Sequence, residues 1–414
     1  MLHNFSDWLS NGLLNKVTKI SENKYLVALR DGMVITVPFT ILGSIFLIVN
    51  NLPFTWWNDF ISPVSFIFDP IVSVTFGMLS LIVLLGISYQ MARLNKIDVV
   101  SGMVISAVAF ILVMLNNQFE VDVSNFGSGG MFTAIIVALF SGELLAFFYK
   151  KNWTIKLPES VPPAVMRSFS ALIPGALTIL FFWLIRIVLN ININDVITSI
   201  FAPLVTSVDS FGGILFVSFL MCALWTLGIH GNNVVGSVTS PIFLTFLASN
   251  IEAVTNGDAP QHIAADGFLL FGMNLGGTGA IIGLAVCMLF AKSKQYKTLG
   301  KISFFPSVFG ISEPIMFGVP VVLNPILAIP FIGIPLILQG ITYFLINFGI
   351  IGHVVAAAPW TTPPIIAGFL ITGGDWRAAL WQGIEVILAI ILYYPFFKKV
   401  DNQALKNEAA IEKI

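Results

Sequence analysis

Glu313 lies within GISEPIMFGVP (310–320), after Gly310 and Ser312 and before Pro314, with long apolar runs on either side. A carboxylate in such a segment is costly to bury, so its first reading is functional. It can orient a hydroxyl by accepting its hydrogen bond and can then take its proton. The structural alternative is a carboxylate that caps a helix start or pairs with a distant cation. His230 stands in WTLGIHGNNVVGS (225–237), between glycines and beside Asn232 and Asn233. Glycine allows close backbone approach, and the amides supply donors and acceptors together, which is how a polyhydroxylated ligand would be held. Its plain alternative is a satisfied histidine at a helix end. Asn274 falls in a third polar, glycine-rich piece, FGMNLGGTGA (271–280), and Trp360 in a fourth, APWTTPP (358–364). Trp225 and Trp360 flank broken segments and have the shape to stack on the apolar face of a pyranose ring, although packing is the commoner task of tryptophan. The remaining polar residues in apolar surroundings have structural readings. Glu143 and Glu385 sit in continuous helical stretches and suit interhelical hydrogen bonding, while Arg186, near a helix end, suits snorkelling to the headgroups. Cys222 and Cys287 lie in apolar stretches without CxxC spacing and read as packing residues. No metal site and no cofactor are expected.

The elements that must hold these residues are membrane helices. Of 414 residues, 57% are hydrophobic and 10% charged, where a soluble protein carries about 25% charged residues. A bilayer core needs roughly 20 apolar residues per helix, and such stretches recur along the whole chain. The net charge of −1 removes any argument for nucleic-acid binding. The N-terminus lacks the basic start, apolar core and cleavage site of a signal peptide. Phe5, Trp8, Leu9, Leu13 and Val17 recur at helical spacing there, which reads as a retained amphipathic helix.

Lys and Arg fall in groups at 16–30, 93–96, 150–167, 292–301 and 398–413, with Arg186 and Arg377 as two stragglers, whereas 51–65, 116–130 and 191–212 contain none. Basic residues mark cytoplasmic loops, so both termini are expected inside. Helices are expected near 31–50, 71–91, 99–116, 131–149 and 170–190, then 213–229, 234–250, 267–291, 324–347 and 376–397. The segments 304–319 and 353–373 are too broken by Pro and Gly to span cleanly and are read as re-entrant hairpins, tolerated only where they line a cavity or are buried in protein. The expected fold is therefore all-α and polytopic, with about ten transmembrane helices and two re-entrant hairpins. Its expected parts are an amphipathic cytoplasmic segment (1–30), a five-helix scaffold or dimerisation half (31–212), a substrate-binding half (213–400) and a cytoplasmic tail (401–414).

GISEPIMFGVPVVLNPILAIPF (310–331) closely resembles the motif of the enzyme IIC membrane components of the sugar phosphotransferase system, lactose/cellobiose family. LRDGMVITVPFTILGSIFLI (29–48) and WTLGIHGNNVVG (225–236) are similar to the same family, so the resemblance covers essentially the whole chain. It implies inward transport of a β-linked disaccharide, of the cellobiose or diacetylchitobiose type, coupled to phosphorylation of its C6 hydroxyl. By motif, the family's sugar-site histidine and glutamate fall on His230 and Glu313. The resemblance further implies a bacterial plasma-membrane homodimer formed largely through the N-terminal half, and a phosphoryl donor that is a phosphocysteine on a IIB component. Both cysteines here lie in apolar helices and only 15 residues follow Lys399. A separate cytoplasmic IIB protein is therefore expected to dock on the basic loops, and this chain alone should be catalytically incomplete. From the residues alone, an ion-coupled secondary transporter stays open, with Glu313 and His230 as a proton relay and the sugar released unmodified. A membrane-embedded hydrolase is disfavoured, since no nucleophile and base constellation or metal cluster is evident.

Overall fold

In the computed structural model the described residues are 22–411, apart from 51–54, 122, 159, 320 and 323. Among them there are helices and no strands. In a bilayer every backbone N–H and C=O must find its partner within the protein, and helices do this locally. Six helices are long and apolar enough to cross: Lys24–Asn50, Ser128–Lys150, Val165–Val188, Gly231–Thr255, Pro325–Asn347 and Trp376–Ala410. Counting two bent pairs, Asp59–Ile67 with Pro70–Phe76 and Ile193–Asp209 with Phe211–Thr226, as one span each gives up to eight. Of the ten expected spans, 71–91 and 99–116 correspond to the shorter apolar helices Leu79–Leu94 and Val99–Val113 and 267–291 is broken, while Asp59–Ile67 belongs to no expected span. The amphipathic reading of Phe5 to Val17 lies outside the described residues.

The chain divides into two compact units, one of 1–43, 69–206 and 240–256, the other of 44–68, 207–239 and 257–414. In the first, Leu79–Leu94 packs against Lys24–Met33, Val99–Val113 and Met131–Lys150. Glu143 bridges helices, as expected: Lys24 Nζ lies 2.6 Å from its carboxylate and Asn95 Nδ2 donates to it at 3.2 Å. A hydroxyl pair, Ser106 with Ser141 at 2.9 Å, ties two further helices together. Arg186 departs from expectation. It is 1% exposed rather than snorkelling, and its Nη2 donates to the carbonyls of Leu115 and Asn116 at 2.8 and 2.9 Å. Leu115 and Asn116 lie in the turn just past the end of Val99–Val113, where one guanidinium nitrogen holds two carbonyls at once.

In the second unit, Pro325–Asn347 packs against Phe211–Thr226 and Trp376–Ile411. The Thr342 hydroxyl lies 2.8 Å from the Glu385 carboxyl and accepts the Trp381 indole N–H at 2.8 Å, so Glu385 makes the interhelical bond anticipated for it. Around these helices run three broken segments. The helix expected near 267–291 is confined to its last third, and the glycine-rich piece 271–280 is irregular: a 3₁₀ turn at Phe268–Leu270 is followed by turns, and helix resumes only at Ile282–Leu289. Gly272, Gly276, Gly277 and Gly279 all have positive φ, between +66° and +109°, which a right-handed helix cannot accommodate. At 304–319, Lys294–Val308 gives way to a turn and then the short helix Glu313–Gly318; at 353–373, regular helix appears only at Ile366–Ile371.

Interrupted backbone needs partners, and a few side chains supply them. The fully buried Gln382 accepts the N–H groups of Ile365 and Gly368, both at 2.7 Å, and donates to the carbonyl of Leu270 at 3.0 Å. One amide thus pins two broken segments to the Trp376–Ile411 helix. Asp209 accepts the N–H groups of Ile263 and Ala264 at 3.0 and 2.8 Å. Asp401 likewise holds the start of Lys294–Val308 through Lys292 and Ser293, at 2.9 and 3.0 Å.

Candidate functional site

The seven residues singled out as ligand-binding in the sequence, Trp225, His230, Asn232, Asn233, Asn274, Glu313 and Trp360, all line one cavity of about 480 Å³ in the second unit. Their convergence follows from the breaks. Phe211–Thr226 ends just before His230, and Gly231–Thr255 begins just after it, so the ring is carried on a tight connection. His230 Nδ1 accepts the Asn233 N–H at 3.2 Å, which leaves the ring proton on Nε2 as a donor. The Trp225 ring packs against the imidazole with centroids 4.4 Å apart and an interplanar angle of 48°. Trp225 is only 4% exposed, whereas Trp360 is 65% exposed. The geometry therefore gives Trp225 the backing of His230 and leaves Trp360 as the ring open to a ligand face.

Asn232 and Asn274 come from distant parts of the chain and meet, Nδ2 to Oδ1, at 3.4 Å. The Thr278 hydroxyl closes the group, 3.1 Å from Asn232 Oδ1 and 3.4 Å from Asn274 Oδ1. Such a cluster fixes its amides and offers the cavity both donors and acceptors. Glu313 begins the short helix after Ser312, and its exposed carboxylate makes no hydrogen bond or ion pair among the described residues. Neither structural alternative, the cap nor the distant cation, is realised there.

Glycines place these groups close together. A Cβ on Gly277 would fall 2.6 Å from Ser312 Cβ and 3.0 Å from the Gly310 carbonyl, and one on Gly310 would fall 3.0 Å from the Trp360 carbonyl. The 271–280 turn, the Glu313 loop and the Trp360 loop thus touch through missing side chains. Gly277, Thr278, Gly310 and Ser312, which are not among the site residues expected from the sequence, also line the cavity. Their signal was the glycine run itself, since three polar positions within GGTGA and GISEP have no other task. Among the described residues no group of three or more His, Cys, Asp and Glu converges as a metal site would.

Comparison with known proteins is consistent along the chain. Residues 30–335 match the family model described as "Phosphotransferase system, EIIC". The chain is 35% identical to the lichenan permease IIC component of Bacillus subtilis, covering 97% of each. It is 34% identical to the cellobiose-specific EIIC component of Geobacillus stearothermophilus, covering 98% of this chain and 96% of that one. A lactose-specific EIICB component of Lacticaseibacillus casei is 30% identical over 95% of this chain, which spans 71% of that longer protein. Among solved structures, the transporter ChbC, the IIC component of the N,N'-diacetylchitobiose-specific phosphotransferase system, superposes with a TM-score of 0.91 at 34% identity, over 97% of this chain and 99% of that one.

Proposed function

This chain belongs to the EIIC family of the phosphotransferase system and is a multi-pass membrane protein; from that premise we propose that it is the permease for a β-linked disaccharide of the cellobiose or diacetylchitobiose type. The observation that carries the reading is the single cavity in which an unpaired carboxylate, an imidazole N–H donor, an amide cluster and an open indole face one another. A cavity of that size suits a small-molecule ligand, for which about 300–1,000 Å³ is usual. Relatives named for cellobiose, lichenan and diacetylchitobiose support the substrate class.

In this account Trp360 stacks on a pyranose face, while Asn232, Asn233, Asn274 and Thr278 bind ring hydroxyls. The C6 hydroxyl donates to Glu313, which orients it and takes its proton as the oxygen attacks phosphorus, while the P–S bond of the IIB phosphocysteine breaks and its sulfur leaves as the thiolate. His230, through Nε2–H, holds the same hydroxyl or its neighbour. Holding a nucleophile in line with a phosphoryl group is most of what such a transfer requires of the acceptor site. The phosphoryl group comes from a phosphocysteine on a separate cytoplasmic IIB protein docked on the basic loops. Cys222 and Cys287 are both buried and unsuited to that task, and fusion of B and C components in the lactose-specific relative fits such a partnership. Residues 213–400 supply the transport half and 31–212 the scaffold and homodimer interface, with both termini cytoplasmic, as the Lys and Arg distribution favours.

The rival reading couples uptake to an ion gradient. In cells supplied with IIB, a proton ionophore added with phosphoenolpyruvate still available should leave initial uptake of labelled cellobiose unchanged. Collapse of uptake under the ionophore would favour a proton relay through Glu313 and His230 instead.

A further inference from the structure

A second, smaller cavity of about 240 Å³ lies in the first unit, where the end of Val99–Val113 meets the start of Ile193–Asp209. Asn116, Asn192, Asn194 and Asp195 line it. Hydrogen bonds decide which atoms of these amides remain available. Asn116 Oδ1 accepts the N–H groups of Gln118 and Glu120, both at 2.9 Å. Asn192 Oδ1 accepts the Asp195 N–H at 3.3 Å, and Asn194 Oδ1 accepts the Thr133 hydroxyl at 2.6 Å. Donor N–H and O–H groups require oxygen opposite them, so the amide orientations follow from the network. Each Nδ2 is left with two N–H donors and no partner among the described residues.

Those three amides therefore present donors beside one carboxylate, that of Asp195, and Asn117, Gln118 and Asn125 add amides that can both donate and accept. A hard cation is poorly matched, because it needs six or more oxygens, Asp195 is the one carboxylate in the lining, and the Asn116, Asn192 and Asn194 oxygens are already used. An anion is also poorly matched, since Asp195 repels it and the buried Arg186, whose Nη2 holds the carbonyls of Leu115 and Asn116, does not line the cavity. A neutral polyol satisfies both, offering oxygen acceptors to the amides and hydroxyl hydrogens to the carboxylate. The wall is built for rigidity: Arg186 lies in a π-helical turn, Leu184–Val188, and is buried while it clamps the backbone at Asn116. Such turns concentrate at functional sites, and a buried charge in a membrane segment is retained for a purpose. The cavity has half the volume of the central one, which suits one sugar ring where the other suits two.

We infer that the first unit carries a second saccharide site, which takes a single pyranose unit of a neutral saccharide between the Asn116, Asn192 and Asn194 amides and the Asp195 carboxylate. The connections 116–130 and 191–212 carry no Lys or Arg, which puts this end on the extracytoplasmic side. The inference rests on the reading of the chain as a saccharide permease.

Equilibrium dialysis of radiolabelled cellobiose against the full-length purified protein tests it, with wild type, Asp195→Ala, Asn117→Trp and the central-cavity pair Asn274→Ala/Trp360→Ala compared. Asn117 is an exposed lining residue, so the tryptophan fills the cavity without disturbing the core. The expected result is two saccharides per wild-type chain, one tight and one weak. Asp195→Ala and Asn117→Trp each remove the weak one and keep the tight one, and the central pair does the reverse. One saccharide per chain, unaffected by Asp195→Ala or Asn117→Trp and lost in the central pair, overturns the second site while the permease reading stands. Tight binding that survives the central pair counts against the permease reading instead, and the effect of Asp195→Ala then still judges the second site. Calcium binding that depends on Asp195, with no saccharide there, also overturns it.

Discussion

Glu313→Gln is expected to lower the rate of sugar phosphorylation by about 10²- to 10⁴-fold, the range that a positioned general base contributes. Glutamine keeps the size of the side chain and can still accept a hydrogen bond, but it cannot take the C6 proton. Disaccharide affinity should fall by only about tenfold or less, the worth of one altered hydrogen bond. The contrast between rate and affinity is the informative part, because the carboxylate has no partner among the described residues that its loss would strand. Single-turnover phosphorylation and equilibrium binding on the same membrane preparation measure both. Equal losses in the two would make Glu313 a ligand-holding group and leave the proton without an acceptor.

Gly277→Ala is the second change with a large expected effect, and it acts at a distance from the reacting atoms. Gly277 has φ +109°, a conformation that costs an ordinary residue about 1–3 kcal/mol. Its new methyl would also sit 2.6 Å from Ser312 Cβ, so the loop that starts the Glu313 helix must move. Displacing a reacting group by about 1 Å can cost as much as 10²-fold in rate. Uptake should fall by at least tenfold on that basis, with protein still present in the membrane. Gly257→Ala is the control: φ is +81° there and no atom lies within 4 Å of the added Cβ. It imposes similar backbone strain without pushing on anything, so uptake should stay near wild type. Equal damage from both substitutions would mean that strain, and not the Glu313 loop, is what the first one reports.

How far the sequence could be read depended on whether a residue's task was local. Glu313, His230 and the Asn232–Asn233 pair announce themselves, because charge, amides, Gly and Pro in apolar surroundings have few uses. All seven chosen residues line the same cavity for that reason. The helix expected near 267–291 was too long because an apolar window averages over its glycines; the irregularity of 271–280 was legible, but only the backbone shows that four of its glycines take positive φ. Arg186 looked like a snorkelling residue since its partners, the carbonyls of Leu115 and Asn116, lie some 70 positions away in the chain. Gln382 is the clearest case of what a pattern cannot carry. Nothing about a lone glutamine in WQGIEVILAI says that it holds Leu270, Ile365 and Gly368 together. The Asn116, Asn192 and Asn194 oxygens of the smaller cavity were equally silent, as the backbone and Thr133 donors they accept are set by the folded loops.

If the sugar leaves this protein phosphorylated, the chemical form of the transported product reveals it. Membrane vesicles containing the protein would be given radiolabelled cellobiose, phosphoenolpyruvate and the soluble phosphotransfer proteins, with and without a IIB protein. The account predicts that cellobiose phosphate accumulates only when IIB is present. Accumulation of unmodified cellobiose that follows a proton gradient and ignores IIB would contradict it and make Glu313 a proton carrier.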